Sequence, residues 1–312
     1  MVDLVLPYVN NKDSVWVKAF TDFCQTHSQY ADKLEMINGE RYRDEFNLFP
    51  LNLKLIRVCL PFIRTIHLIV SNKEQVEGLD LTGVHLVLHE DIMPKEILPT
   101  FCSSTIEMFI GNIEGLAEKF IYINDDMIPT RVMSESDFFD GDCAKMQVYT
   151  LHETTNNSLF REMVVRQYRE VFKGTEDYLG DDFYLRPEHS ASPMFKSLVN
   201  EARAIYAPSI EKHLEPFREV EQHNQYLYHF HAYRMGRVKP TNLKFIYLRL
   251  EKPDFLNNCY AICDKSGSHF DWICVNDNEE ERMLQDRELR YKVLKKALEL
   301  CLEYIKKGAN NE

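Results

Sequence analysis

Apolar positions along the chain follow two periods. Asp3 to Leu6, Ile66 to Val70, Val84 to Leu88 and Phe120 to Ile123 are short runs of mostly branched or aromatic apolar residues, interrupted only by Asp3, His67 and His85. Runs of that length and type predict buried strands. Between the first two, apolar residues recur at helical spacing, as Trp16, Ala19, Phe20, Phe23 and Cys24, and then as Leu48, Leu51, Leu55, Ile56 and Cys59. Asp13 or Ser14 can cap the first of these helices. Pro50 fits the first turn of the second and Pro61 ends it. Ser104-Thr105-Ile106-Glu107 has the spacing of a capping box, which predicts a helix running to about Ile110. Strand and helix alternate through residues 1–150, with one more strand over Met146 to Leu151. The expected fold class is α/β: a Rossmann-like, doubly wound, mainly parallel sheet with a helical insertion.

The insertion begins near residue 151. Phe160 to Phe172 and Met194 to Ile205 have helical spacing, and Tyr226 to Tyr233 reads YLYHFHAY. His229 and His231 in that stretch would share a face only in a strand, and neither is given a role. Phe245 to Leu250 and Trp272 to Val275 predict returning strands, the second ending in Asn276-Asp277-Asn278. From Glu279 an acidic helix start turns basic toward Lys306 and Lys307, which matches the helix dipole. Its buried stripe is Leu294, Ala297, Leu298, Cys301, Leu302 and Ile305. The chain therefore divides into an α/β part over 1–150, a mostly helical insertion over 151–240, and returning strands with a C-terminal helix over 241–312.

Charge and cysteines narrow the partners. A net charge of −12 over 312 residues excludes a general nucleic-acid binder but leaves room for a local basic pocket. No apolar run approaches the roughly 20 residues that span a bilayer. The opening MVDLVLPYVN lacks a basic stretch followed by a signal-like apolar one. Several of the eight cysteines sit inside apolar patterns, as in Val58-Cys59-Leu60 and Ile273-Cys274-Val275. Reduced, buried thiols in a cytoplasmic protein are the expectation. Cys259 and Cys263 have no second pair at zinc spacing.

Chemistry concentrates where Phe120 to Ile123 ends abruptly in Asn124, Asp125 and Asp126. Ligands of an open α/β sheet bind beyond the carboxyl ends of its strands. Paired carboxylates there suit Mg²⁺ or Mn²⁺, which take oxygen ligands and often bridge to phosphates. An Asx turn is the plainer alternative. Arg41 and Arg43 open the second helical stretch. They fit solvated surface charges, or a grip on a diphosphate beside the first strand.

These residues together resemble the Stealth family of sugar-phosphate transferases, which includes bacterial capsular polysaccharide phosphotransferases and N-acetylglucosamine-1-phosphotransferase. Four separated regions carry the resemblance, in the family's order, from about residue 3 to 278. The first is Asp3-Leu4-Val5-Leu6-Pro7-Tyr8-Val9-Asn10 with Asp13 and Trp16, where Asn11 replaces a common Gly. The second runs from Arg41-Tyr42-Arg43-Asp44 through His89-Glu90-Asp91-Ile92, Leu98-Pro99-Thr100-Phe101 and Ile106-Glu107 to Asn124-Asp125-Asp126. The third is Glu188-His189 with Phe217-Arg218, its usual Pro displaced to Pro193, and the fourth is Ile273 to Asn278.

The resemblance implies transfer of a sugar 1-phosphate from a nucleotide sugar, such as UDP-N-acetylglucosamine, to a saccharide hydroxyl. UMP leaves and a phosphodiester forms, in capsule or cell-surface polysaccharide synthesis. Residues 1–150 would then bind the nucleotide sugar and 151–240 would face the acceptor. Asp125 and Asp126, with Asn276 or Asp277, become the expected Mg²⁺ or Mn²⁺ ligands. His189 becomes the expected base, or a phosphohistidine nucleophile. Arg218 would hold the transferring phosphate, Arg41 or Arg43 the donor diphosphate, and Pro7, Tyr8, Val9, Asn10 and Asn124 the nucleotide pocket. For Arg218 the plainer alternative is a surface ion pair with Glu215. A cytoplasmic enzyme at the inner face of a bacterial membrane, peripherally attached, is the implied setting. Two rivals stand beside this: a metal-dependent glycosyltransferase releasing UDP, and a carbohydrate-binding protein without turnover.

Overall fold

The computed structural model describes residues 1–37, 47–153, 158–264, 267–275 and 284–309. Its central sheet holds four parallel strands, β1 (Val2–Pro7), β2 (Ile63–Val70), β3 (Val84–Leu88) and β4 (Lys119–Tyr122), in the spatial order β4-β1-β2-β3. The strand Ser192–Phe195 adds an antiparallel edge to β4, with Ser192 opposite Tyr122. Alternation along the strands sends their side chains to two cores. Leu4, Leu6, Ile121 and Ile123 face one, with Leu55, Ile56, Leu298 and Leu302 from the helices Phe49–Cys59 and Arg287–Ala309. Val5, Phe120 and Tyr122 face the other, with Tyr168, Phe172 and Phe230 from the helices Leu159–Phe172 and Tyr226–Arg234. Both faces of the sheet are covered, as the near-continuous apolar runs of its strands require. The fold class is the α/β, mainly parallel arrangement that the alternation of strands and helices predicts.

A buried polar pin ties β1 to its neighbours. Asp3, fully buried, accepts two hydrogen bonds from the Arg64 guanidinium (2.9 and 2.6 Å) and one from the Ala117 backbone N–H (2.8 Å). His67 Nε2 lies 3.1 Å from the same carboxylate. Burial works to raise the Asp3 pKa, but these bonds outweigh it and hold the carboxyl below its usual range.

A second sheet of three short strands abuts the first. Met127–Pro129 pairs antiparallel with Trp272–Cys274, which pairs parallel with Phe245–Tyr247. A two-stranded hairpin joins Val148–His152 to Phe183–Pro187.

Several elements differ from the sequence expectation. The capping box at Ser104 does not form. The helix is the short Ser103–Glu107, begun by Cys102 with no side-chain cap. Its polar side chains serve long-range contacts instead: the Thr105 hydroxyl donates to the Glu215 carbonyl at 2.7 Å, and Glu107 turns inward. Met194 lies in the edge strand, so the following helix spans Lys196–Ile205. YLYHFHAY is helical, and both its histidines are buried because the helix lies in the second core on nearly every side. The expected start of the last helix at Glu279 lies outside the described residues; among the described ones the helix begins at Arg287. All eight cysteines are unbonded, and the Cys263 thiol donates to the Cys259 carbonyl at 3.3 Å.

Candidate functional site

The chain runs outward from β1 to β2 and β3, then returns to the other side of β1 as β4. The strand order thus reverses between β1 and β4, and the crevice beyond their carboxyl ends is the expected ligand position of such a sheet. β1 ends at Pro7. Beyond β4, the Ile123 N–H still reaches the Val5 carbonyl (3.0 Å), and the chain then turns through Asn124, Asp125 and Asp126. The Met127 N–H closes this turn on the Asn124 carbonyl at 3.1 Å. Asn52, from the helix Phe49–Cys59, clamps it from below: its amide donates to the Asp125 carbonyl (3.3 Å) and the Met127 carbonyl (2.9 Å).

The second sheet delivers its own strand end to the same turn. The Val275 N–H donates to the Asp126 carbonyl at 2.9 Å, and the Cys274 thiol donates to Asp126 Oδ2 at 3.3 Å. His189 arrives from the connection between Phe183–Pro187 and Ser192–Phe195. The pairing of Ser192 with Tyr122 brings that connection to the end of β4. One ligand-capable atom each of Asp126, His189 and Cys274 lie within 4.8 Å of one another. The His189 ring stacks on Tyr247, centroids 5.9 Å apart and planes 14° apart. Asp126 and His189, distant in the sequence, are therefore neighbours.

Burial lowers the His189 pKa. Asp126 and Glu188 oppose that, and the Arg218 and Arg186 guanidinium groups reinforce it. The imidazole is thereby kept neutral and able to accept a proton near neutral pH. Arg218 follows the buried Phe217 and donates to the Ser103 hydroxyl at 2.7 Å. Its charge reaches Glu107, Tyr122 and His189, which places it with the site group. Glu107 is buried and takes the Tyr122 hydroxyl (2.9 Å) and the Gln225 backbone N–H (2.7 Å). Burial raises its pKa against those bonds and the Arg218 charge.

The donor set bears on a metal. Asp126 Oδ1 and Asn124 Oδ1 are buried with no hydrogen-bond partner among the described residues. A carboxylate oxygen in that state fits a hard cation. Cys274 does not: burial, then Asp126, pushes its thiol well above the ordinary range, so it stays protonated and donates to the carboxylate. Asp126, with Asp125 beside it, fits an Mg²⁺ or Mn²⁺ ion in part. Asn276 and Asp277, the expected partners, lie outside the described residues, as do Arg41 and Arg43.

The nucleotide-pocket expectation divides. Tyr8 is buried and stacks on Phe49 with centroids 3.8 Å apart, so its ring supports the end of β1 from inside the core. Pro7 and Val9 are half-buried. Asn10 is held by Gln75, which accepts from the Asn10 N–H (2.6 Å), donates to its carbonyl (3.1 Å), and donates to Asp13 (2.7 Å). Asp13 also caps the first helix, Ser14–Thr26, through the Val15 and Trp16 N–H groups. Sequence reasoning missed Asn52, Gln75, Arg186, Tyr226 and Tyr247. Asn52 alone left a usable signal, a polar residue on the apolar stripe of Leu48, Leu51, Leu55 and Cys59.

Comparisons with known proteins find sequence similarity to polysaccharide phosphotransferases. Residues 41–147 match conserved region 2 of the Stealth proteins, the region that holds the Asn124–Asp126 turn. An exopolysaccharide phosphotransferase of Lactiplantibacillus plantarum is 32% identical over 45% of this chain and 40% of its own length. A capsular polysaccharide phosphotransferase of Streptococcus pneumoniae is 32% identical over 46% of this chain and 42% of its own. Another of that name, from Neisseria meningitidis serogroup A, is 25% identical over 91% of this chain and 53% of its own length. The chain thus spans about half the length of the curated relatives it matches, or less. One similarity, to conserved region 2 of the Stealth proteins, covers a third of the chain and includes the turn that carries the carboxylates, and another, to a capsular polysaccharide phosphotransferase, extends across the segments that hold His189 and Arg218.

Proposed function

We propose that this chain transfers a sugar 1-phosphate from a nucleotide sugar to a hydroxyl of a saccharide acceptor, with UDP-N-acetylglucosamine as the donor. The meeting of Asp126 and His189 at the switch point of the sheet carries this reading. The names of the relatives, exopolysaccharide and capsular polysaccharide phosphotransferases, support it.

In this mechanism the acceptor oxygen attacks the β-phosphorus of the donor. A new P–O bond forms while the bond from that phosphorus to the bridging oxygen breaks. UMP leaves, and the product is a phosphodiester that keeps the sugar's C1–O bond. His189 takes the acceptor proton on a ring nitrogen, which general-base catalysis requires to be unprotonated beforehand. Stacking on Tyr247 orients the ring. Arg218, steadied by Ser103, neutralises charge on the transferring phosphoryl group. Asp125 and Asp126 would hold Mg²⁺ or Mn²⁺, which supplies charge neutralisation on the diphosphate. The setting proposed for the acceptor is the cytoplasmic face of a membrane; among the described residues no helix is long and apolar enough to cross one.

The test is to incubate the protein with Mg²⁺, an oligosaccharide acceptor and a panel of nucleotide sugars, and to identify the released nucleotide. UMP is expected. UDP would turn the reading to a glycosyltransferase, and no release at all to a carbohydrate-binding protein. His189→Ala should lower the rate by about 10² to 10⁴ with its melting temperature preserved. Full activity in that variant would remove the base. Acid-labile phosphate left on the wild type from a β-labelled donor without acceptor would make His189 a nucleophile instead.

A further inference from the structure

Arg186 stands close to His189, and the mechanism above gives it no part. It lies on the strand Phe183–Pro187, paired across the hairpin with Tyr149. Its Nε is buried with no hydrogen-bond partner among the described residues. Native proteins rarely leave such a donor unsatisfied, because desolvation without a partner is costly. The adjacent carboxylate is engaged elsewhere: Glu188 accepts the His189 N–H at 3.1 Å and the Tyr149 hydroxyl.

A second donor nearby is in the same state. The Tyr226 hydroxyl is buried without a partner, on a side chain 1% exposed. Tyr226 follows directly on Gln225, whose N–H bonds Glu107, which in turn takes the Tyr122 hydroxyl at the end of β4. The Arg186 charge reaches His189, Tyr226 and Tyr247 alike. Burial pushes the Tyr226 hydroxyl up, so it remains a donor. A guanidinium and a phenol, both short of acceptors and both beside the base, lack an anion with several acceptor oxygens. A phosphate group has that chemistry.

We propose that Arg186 and the Tyr226 hydroxyl form a phosphate-binding subsite beside His189, additional to Arg218. The proposal rests on the transferase reading only for what carries the phosphate. Two carriers share the chemistry: the diphosphate of the donor, and a phosphodiester already present in an acceptor extended by earlier transfers.

Isothermal titration with inorganic pyrophosphate, in EDTA so that metal-held phosphate is not counted, tests the subsite itself. Arg186→Gln should weaken binding on the order of 10- to 100-fold and Tyr226→Phe by less, hydrogen bonds to charged groups being the stronger kind. Arg186→Lys, which keeps the charge, should recover part of the loss and serves if the Gln variant fails to fold. Equal binding by wild type and Arg186→Gln, or no binding by wild type, overturns the subsite. Turnover then separates the carriers. A raised KM for the nucleotide sugar in Arg186→Gln assigns the subsite to the donor, a raised KM for a phosphodiester-containing acceptor assigns it to the acceptor, and no change in either overturns it. Arg186-dependent pyrophosphate binding without turnover of any nucleotide sugar would sink the transferase reading and leave the subsite standing.

Discussion

At the scale of single residues, the turn after β4 depends on one amide. Asn52 donates to two carbonyls that flank Asp126. Asn52→Ala would remove both bonds, at a cost of about 1–3 kcal/mol. It would also loosen the carboxylates, and misplacement by about 1 Å can cost on the order of 10² in rate. A melting curve and a transfer assay on the same preparation check both, and an Ala variant matching wild type in each would show that the clamp is idle. Asp126→Asn probes the charge alone. It keeps the volume and an acceptor for the Cys274 thiol and Val275 N–H contacts, so the fold should hold while metal-dependent turnover falls by 10² or more, as expected for a lost charge-stabilising group. Activity that persists in Asp126→Asn and in EDTA would remove the metal from this turn. The carboxylates were legible because an apolar strand stopped at them without transition. Asn52 was legible in principle, and Tyr226 was not, because a polar tip on an aromatic ring looks apolar in any periodicity.

At the scale of elements, Arg218 owes its position to aromatic packing rather than to the ion pair with Glu215 that its neighbourhood suggests. Glu215 instead takes the Tyr30 hydroxyl at 2.7 Å. Phe217 is buried among Phe20, Tyr30 and Phe101, with centroids 5.5, 5.1 and 5.4 Å away. The Phe101 N–H also bonds the Pro216 carbonyl at 2.9 Å. Phe217→Ala should therefore cost about 3–5 kcal/mol, the usual range for a deleted core phenyl, and reduce turnover by releasing the next residue. Phe217→Leu keeps most of the apolar volume and should recover most of the stability. A Leu variant that is stable and fully active, beside an Ala variant that is folded and fully active, would detach Arg218 from the cluster. The helix carrying Trp16 and Phe20 was legible from its spacing and its Asp13 cap. The helix Ser103–Glu107 was misjudged because Ser103, Thr105 and Glu107 answer partners elsewhere in the chain. Arg218 bonds Ser103, Glu215 accepts from Thr105, and Tyr122 bonds Glu107. Local capping chemistry does not register such contacts.

At the scale of the molecule, strand–helix alternation was enough to foresee the parallel sheet, and its switch point follows from the order in which the strands pair. The antiparallel edge strand Ser192–Phe195 was not foreseeable, since its four residues lack an alternating pattern, yet it carries His189 to β4. Packing both faces of the sheet also buried an unusual number of imidazoles, and that has a consequence for the whole fold. His67, His89, His223, His229 and His231 are all buried, and burial lowers the pKa of each, His89 to about 4 and His229 to about 3. In the unfolded chain these groups take up a proton below roughly pH 6.5, while in the fold they do so only at lower pH. The unfolded state then binds more protons, so stability falls as pH drops below about 6.5 and keeps falling toward the folded values. At about 1.4 kcal/mol for each unit of depression, His89 alone represents on the order of 3 kcal/mol by pH 4. Asp3 and Asp13 act at lower pH with a shift in the same direction: their lowered pKa values contribute stability above roughly pH 3.9 that is lost below it. Urea titrations at intervals from pH 8 to pH 4.5 should therefore show a plateau above neutrality and a steady decline beneath pH 6.5. His229→Leu, which replaces an imidazole whose two nitrogens have no partner among the described residues, should reduce the slope of that decline. A folding free energy that stays level from pH 7.5 to pH 5 would mean that His89 and His229, whose shifts come from burial alone, are hydrated in ways that burial denies, since the carboxylates facing the other three, Asp3 at His67, Glu170 at His223 and Glu201 at His231, offset only part of theirs.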